Sequence, residues 1–295
     1  GIITEIRFKL VKPKTHSKLL VIFLRDLGPL TQIISRILEY KPESFESYDD
    51  NTIKVGIRFF GDILKIMKGG FFTLAKEFLP EFWMVVSGGL PKLILLAEFT
   101  GDTEEEANKK AVAARIAIAN LPIKTRLAKT EREIKKYWTF RRESFNLLRH
   151  HMKGLRTAPF IDDVIVPPEK LPEFLPKINE LLSRYDLIYT IAGHIGDGNF
   201  HIIPLMKLSD PKAKEIIQNL SKEVYKLVIE FGGSITAEHN DGLIRSPFLK
   251  TMYGEKIYSL FEATEHIFDP ENIFNPTKKV GSSLEYALDH LDTTV

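Results

Sequence analysis

The sequence predicts an α+β fold: a ferredoxin-like antiparallel sheet, or sheets, with helices packed on one face. Three observations predict it. Short β-branched and apolar runs are separated from amphipathic runs of helical period. A strand-helix-strand pattern appears twice in the first 130 residues. Capping and turn residues stand at the borders between the two kinds of run.

The elements follow in order. "KLLVIFLRDL" (Lys18 to Leu27) reads as a strand. "GPLTQIISRILEY" reads as a helix, because Leu30, Ile33, Ile34, Ile37 and Leu38 share one face, and "ESFESYD" reads as a short strand after it. "KLILLAEFTG" (Lys92 to Gly101) opens the second unit. Asp102 and Thr103 cap "EEEANKKAVAARIAIANL", whose acidic first turn suits the helix dipole, and "IKTRLAK" returns as a strand. Thr130 and Glu133 stand at capping-box spacing before the helix "EREIKKYWTFRRESFNLLRHH". After "DDVIVP" a helix is expected from about Pro168 to Arg184. "LIYTIAG" and "NFHIIPLM" are strands joined by a turn. "PKAKEIIQNLSKEVYKLVIEF" is a helix that ends at the pair Gly232 and Gly233. "IFDPENIFNPTKKVG" (Ile267 to Gly281) holds two prolines and two asparagines, and predicts an ordered, turn-rich closure.

Bulk composition excludes several classes. Lys and Arg number 41 against 39 Asp and Glu, so no basic face argues for nucleic acid. There is no cysteine, which excludes disulfides, thiolate metal sites and iron–sulfur clusters within the chain and suits a reducing, cytoplasmic setting. The chain opens "GIITEIRFKLVKP", already in strand-like alternation and without Met, so a fragment of a longer protein is expected. The segment from Gly56 to Pro91 is apolar and aromatic, but charges, glycines and prolines interrupt it short of a transmembrane span. Two readings stand for it: helices that bury aromatics against the core or a partner subunit, and an interfacial membrane helix.

The chemistry concentrates in "AGHIGDGNFHIIPLM". Read as a hairpin turning at Asp197-Gly198, it sets His194 and His201 across from each other, within reach of one ion. Imidazole is a common ligand of zinc and of related divalent ions. A third ligand is offered by Glu238 in "GGSITAEHNDGLIRS", with His239 beside it on what reads as a short strand, so that the two point to opposite faces unless a turn brings them together. Histidines hydrogen-bonded to backbone remain the alternative. In "YWTFRRESFNLLRHH", Arg141 and Arg142 face different ways on a helix. Either could clamp a carboxylate through its planar fork, and surface ion pairing is the alternative.

Together these pieces resemble the C-terminal, cap or substrate, domain of FAD-linked oxidases of the vanillyl-alcohol-oxidase type, a group that includes D-lactate dehydrogenase, the glycolate oxidase flavin subunit and D-2-hydroxyglutarate dehydrogenase. The resemblance rests on "YWTFRRE" followed by "DDVIVP", on "GHIGDGNFH", on "AEHNDG" and on "DPENIFNP" followed by "KKVG". It implies residues 1–14 as the end of an FAD-binding domain, 15–281 as the cap with 56–91 as an apolar helical insertion, and 282–295 as a tail. It implies His194, His201 and Glu238 as ligands of a divalent metal, zinc or manganese, and His239 as the base that takes the substrate hydroxyl proton. Arg141 is implied to hold the substrate carboxylate, and Ile2, Ile3 and Asn275 to approach the flavin.

The implied reaction is oxidation of a D-2-hydroxy acid such as lactate or glycolate, with hydride passing to an FAD held mainly by another domain. A homodimer and peripheral contact with the inner face of a membrane are the further partner expectations, and the electron acceptor is left open. Ile203 stands where the D-2-hydroxyglutarate enzymes carry an asparagine, and no lysine stands before "DDVIVP" at the place where those enzymes have one, so a different acid is expected. "AEHNDGLIRS" is closer to larger relatives with iron–sulfur modules downstream. Two other classes stay open: a metal-dependent hydrolase, disfavoured because no second carboxylate is evident beside the ligands, and a non-enzymatic partner- or membrane-binding module.

Overall fold

The computed structural model describes residues 3–67, 88–151 and 154–294, with isolated positions between 68 and 87. Its strands are β1 (His16–Leu24), β2 (Ser44–Asp49), β3 (Leu93–Gly101), β4 (Lys124–Leu127), β5 (Arg156–Thr157), β6 (Val164–Ile165), β7 (Ile188–Gly193) and β8 (Asn199–Met206). Its helices are α1 (Leu30–Leu38), α2 (Asp50–Arg58), α3 (Phe60–Ile66), α4 (Glu104–Ala117), α5 (Glu131–His151), α6 (Leu171–Ser183), α7 (Ala213–Glu230), α8 (Gly242–Arg245), α9 (Leu249–Phe268) and α10 (Leu284–Asp289).

The sheet runs β4-β1-β3-β2-β7-β8-β5, with β6 paired to β8 off that path. The paired strands are antiparallel. β1 and β2 flank β3, so α1 crosses between two strands that do not touch. This is the split β-α-β arrangement of a ferredoxin-like unit. Alternation along the strands sends side chains to two faces. Leu20, Ile22, Leu24, Leu95, Ala97 and Phe99 join the large core with α1, α4, α6 and α7. Leu19, Val21, Phe23, Ile94 and Leu96 pack on the other side with Ile53 of α2 and Tyr137 of α5. The main helical layer therefore lies on one face as expected, and α2 and α5 cover part of the second, which the sequence pattern does not separate.

The caps are those the sequence supplies. Thr103 accepts the backbone N–H of Glu106, and Thr130 that of Glu133. Gly232, at φ +73°, ends α7: its N–H reaches Ile229 O and the Gly233 N–H reaches Val228 O. Paired bonds of this kind satisfy the last carbonyls of a helix. The closure after α9 is ordered as expected, with Asp269 accepting the N–H groups of Ile273 and Phe274.

Two readings need correction. The run before Glu238 is not a strand: apart from an isolated bridge between Ile165 and Ser234 it is irregular. The expected helix from Pro168 begins as a single 3-10 turn, Pro168–Lys170, and only Leu171–Ser183 is α-helical. Nearly half of the apolar segment 56–91 falls outside the described residues. Among those described, no helix is long and apolar enough to cross a membrane.

Candidate metal and active site

The site forms at the turn between β7 and β8, on the sheet face that carries α5. The ladder ends with Ala192 opposite His201, so His194 lies just beyond it and not directly across. The turn curls back, with Asp197 and Asn199 both donating to His194 O. The two rings come to 5.4 Å, edge to face. Gly198 allows the curl: it sits at φ +77°, and a Cβ there would stand 1.9 Å from Val166 O. The neighbouring β2 pairs Ser47 with Gly193, which brings Glu46 beside His194.

The loop carrying Glu238 and His239 is shaped by Asp163. This residue is fully buried at φ +64°. Its carboxylate accepts the N–H groups of Ala237 at 2.9 Å, Glu238 at 3.2 Å and His239 at 2.9 Å. Thr236 and Asn199 side chains donate to it as well. Burial pushes the Asp163 carboxyl up, but these donors prevail and hold it below the usual carboxylate range. Asn240, at φ +61°, completes the turn. Adjacent residues that a strand would send apart are thereby brought to one side.

Glu238 Oε1 is the focus. It lies 3.2 Å from His194 Nε2, 3.1 Å from His201 Nε2 and 3.4 Å from His239 Nε2. His201 and His239 stack at 5.0 Å. Behind each imidazole stands a carboxylate on Nδ1: Glu46 on His194 at 2.8 Å, and Asp162 on His201 at 3.1 Å and on His239 at 3.3 Å. Burial lowers the His201 pKa, but Asp162, Glu238 and Asp163 together raise it.

The residues fit a divalent ion. Ligand atoms around a tetrahedral zinc at 2.0–2.1 Å are about 3.3 Å apart, and ligating histidines almost always have the second nitrogen hydrogen-bonded, frequently to a carboxylate. Asp163 also falls within the cluster of ligand-type atoms with His201, Glu238 and His239. Its oxygens are already taken by backbone donors, so it shapes the loop, and the remaining side chains are the ones free to hold an ion.

The structure thus brings His194, His201, Glu238 and His239 together. Arg141 stands one layer behind them: its guanidinium is paired with Glu46 and its Nε is buried without an acceptor. Arg142 points elsewhere, over the Trp138 ring at 5.3 Å. Asn275 is exposed at φ +54° in the closing loop, and Lys279 from the same loop donates to Asn240, next to His239. Ile3 is exposed, and Ile2 lies outside the described residues, as do the side chains of His150 and His151.

Glu46 and Asp162 are the residues that sequence reasoning missed. They bear on the hydrolase alternative, which the sequence disfavours for want of a second carboxylate. Carboxylates do stand beside the histidines, but both are engaged on Nδ1 atoms and Glu46 also on Arg141.

Comparison with known proteins agrees with this architecture. D-2-hydroxyglutarate dehydrogenase of Pseudomonas putida is 29% identical over 247 residues, covering 82% of this chain and 23% of that protein. Glycolate oxidase subunit GlcD of Bacillus subtilis is 28% identical over 284 residues, covering 94% of this chain and 54% of that protein. The chain thus spans about half, or less, of these relatives. The solved structure of p-cresol methylhydroxylase with substrate bound shares the fold, at a TM-score of 0.63 and 12% identity over 92% of this chain and 54% of that one. Residues 13–279 match the family described as FAD linked oxidases, C-terminal domain, and the chain belongs to that family.

Proposed function

We propose that this chain is the substrate-side domain of an FAD-dependent dehydrogenase that oxidises a D-2-hydroxy acid, such as lactate or glycolate, to the 2-oxo acid. The observation that carries the proposal is the convergence of three imidazole Nε2 atoms on one carboxylate oxygen of Glu238. Relatives named for a 2-hydroxy acid dehydrogenase and a glycolate oxidase support the substrate class.

In this reading His194, His201 and Glu238 hold a divalent ion, zinc or manganese. When bound, the ion would act as a Lewis acid on the substrate hydroxyl, and a flavin held mainly outside this chain would accept the hydride. His239 is the base. Asp162 sits on its Nδ1, which favours the tautomer with the proton there and leaves the Nε2 lone pair to take the hydroxyl proton. The resulting imidazolium is balanced by the same carboxylate. Arg141 approaches the substrate carboxylate with the donors that Glu46 does not use, fixing which face meets the flavin. Asn275 and the residues near Ile3 line the flavin side, an assignment supported by the Lys279 contact that ties the closing loop to Asn240.

The test is anaerobic reduction of the full-length, flavin-loaded protein by a panel of D- and L-2-hydroxy acids. Bleaching of the flavin absorbance by a short D-2-hydroxy acid is expected. A flavin left oxidised by every member of the panel would sink the proposal.

A further inference from the structure

Glu46 has no part in that scheme, yet its placement is costly. It is 7% exposed on β2, on the sheet face it shares with Tyr48. A buried carboxylate is tolerated when it is paired and hydrogen-bonded; here one oxygen is hydrogen-bonded and the other is held by an ion pair without a hydrogen bond of its own. Oε1 lies 2.8 Å from His194 Nδ1. Oε2 is paired with the Arg141 guanidinium, which projects from α5 on the covering layer. A purely structural ion pair would not need a third member. The histidine on the far oxygen is the one that reaches out of the hairpin turn, where the β7–β8 ladder no longer holds it.

We propose that Glu46 and Arg141 form a positioning pair for the divalent-ion site, acting through His194. Glu46 accepts the Nδ1–H of His194, which fixes the ring and leaves the Nε2 lone pair aimed at the cluster around Glu238. Arg141 balances the buried charge of Glu46 and pins its rotamer against α5. His201 and His239 share a different carboxylate, Asp162, so the two sides of the site are oriented independently. The inference rests on the reading that His194, His201 and Glu238 bind an ion. It goes further in making Arg141 matter to that ion when no substrate is present.

The experiment is the affinity of the chain for Zn²⁺ and Co²⁺, by chelator competition and by the visible spectrum of bound Co²⁺, without flavin or substrate. Circular dichroism and thermal melts of the metal-free variants establish that each is folded. Removing an outer partner of a ligating histidine typically costs about 10- to 100-fold in metal affinity. Glu46→Ala is expected at the upper end of that range with an altered Co²⁺ spectrum. Glu46→Gln keeps an oxygen that accepts from Nδ1–H, and is expected at about tenfold, near the lower end. Arg141→Ala is expected to weaken binding, and the double variant Glu46→Ala/Arg141→Ala to bind no worse than Glu46→Ala, since coupled residues are not additive.

A folded Glu46 variant that binds within about threefold of the wild type, well short of that range, overturns the proposal while the metal site stands. Should Glu46→Ala fail to fold, the same criterion applies to Glu46→Gln. An Arg141→Ala variant with unchanged affinity overturns the part assigned to Arg141. Absence of metal binding by the wild-type chain overturns both this inference and the ion-binding reading beneath it.

Discussion

The Asp163 carboxylate accepts the backbone N–H of His239 at 2.9 Å, and through the same group it gathers the N–H groups of Ala237 and Glu238. The loop that presents Glu238 and His239 is therefore held by one fully buried anion. Hydrogen bonds to a charged group are worth about 1.5–3 kcal/mol each where measured, and they are not additive. Asp163→Asn keeps the shape and tolerates the positive φ, but it exchanges an all-acceptor group for one with two donors. We expect about 3 kcal/mol of lost stability in urea unfolding, and weakened metal binding. A variant within about 0.5 kcal/mol of the wild type, the range of ordinary surface substitutions, would show that the loop holds its own shape.

The proposed ion site makes a prediction about metal removal. With each Nδ1 on a carboxylate, three Nε2 lone pairs face one carboxylate oxygen, an opposition of acceptors that a cation would relieve. A ligand that binds only the folded state stabilises it by about 2.7 kcal/mol at a hundred times its dissociation constant. Exhaustive chelation should therefore lower the melting temperature, and Zn²⁺ or Mn²⁺ should restore it in a dose-dependent way. His201→Ala should abolish the response. Identical melts with and without metal would count against the site.

How far the sequence reveals this arrangement depends on how local each signal is. β8 is read residue for residue, Asn199–Met206, because an apolar run of β-type residues follows a Gly-Asp-Gly turn. The Thr103 cap is equally local. Glu46 and Asp162 are not, since they lie 148 and 39 residues from the histidines they touch and their neighbours mark them only as polar positions in strand or loop. The convergence of Glu238 and His239 is concealed for another reason. Their segment has strand-like composition, and it takes the buried Asp163 and the left-handed Asn240 to bend it.

Gly198 carries the hairpin turn, and its replacement tests how tightly that turn sets the site. At φ +77°, with Val166 O only 1.9 Å from where a Cβ would stand, Gly198→Ala meets both backbone strain and a clash with main chain. Left-handed backbone costs a non-glycine residue about 1–2 kcal/mol before any clash. The expected result is a loss greater than that in chemical unfolding, together with weakened metal binding as His194 and His201 move apart. A neutral effect would mean that the turn can flip without disturbing the two histidines.

Asp49 gives a pH dependence that is independent of the metal. It caps α2, accepting from Thr52 N at 2.9 Å and Thr52 Oγ1 at 2.7 Å. Burial outweighs these bonds and pushes its pKa from 3.8 up to about 6. The sign follows from proton linkage: between these two values the unfolded chain releases its proton while the folded chain retains it. Asp49 therefore contributes a stability that falls as pH rises from about 4 to 6 and is level above that. A two-unit displacement corresponds to about 3 kcal/mol. Asn caps a helix as well as Asp does and carries no charge. Asp49→Asn should thus be more stable than the wild type at pH 7, with the advantage shrinking as pH falls toward 4. Chemical denaturation of both proteins at pH 4, 5, 6 and 7 measures that difference directly, because carboxylates common to the two cancel. A difference that does not change with pH would mean that Asp49 ionises in the fold as it does in water.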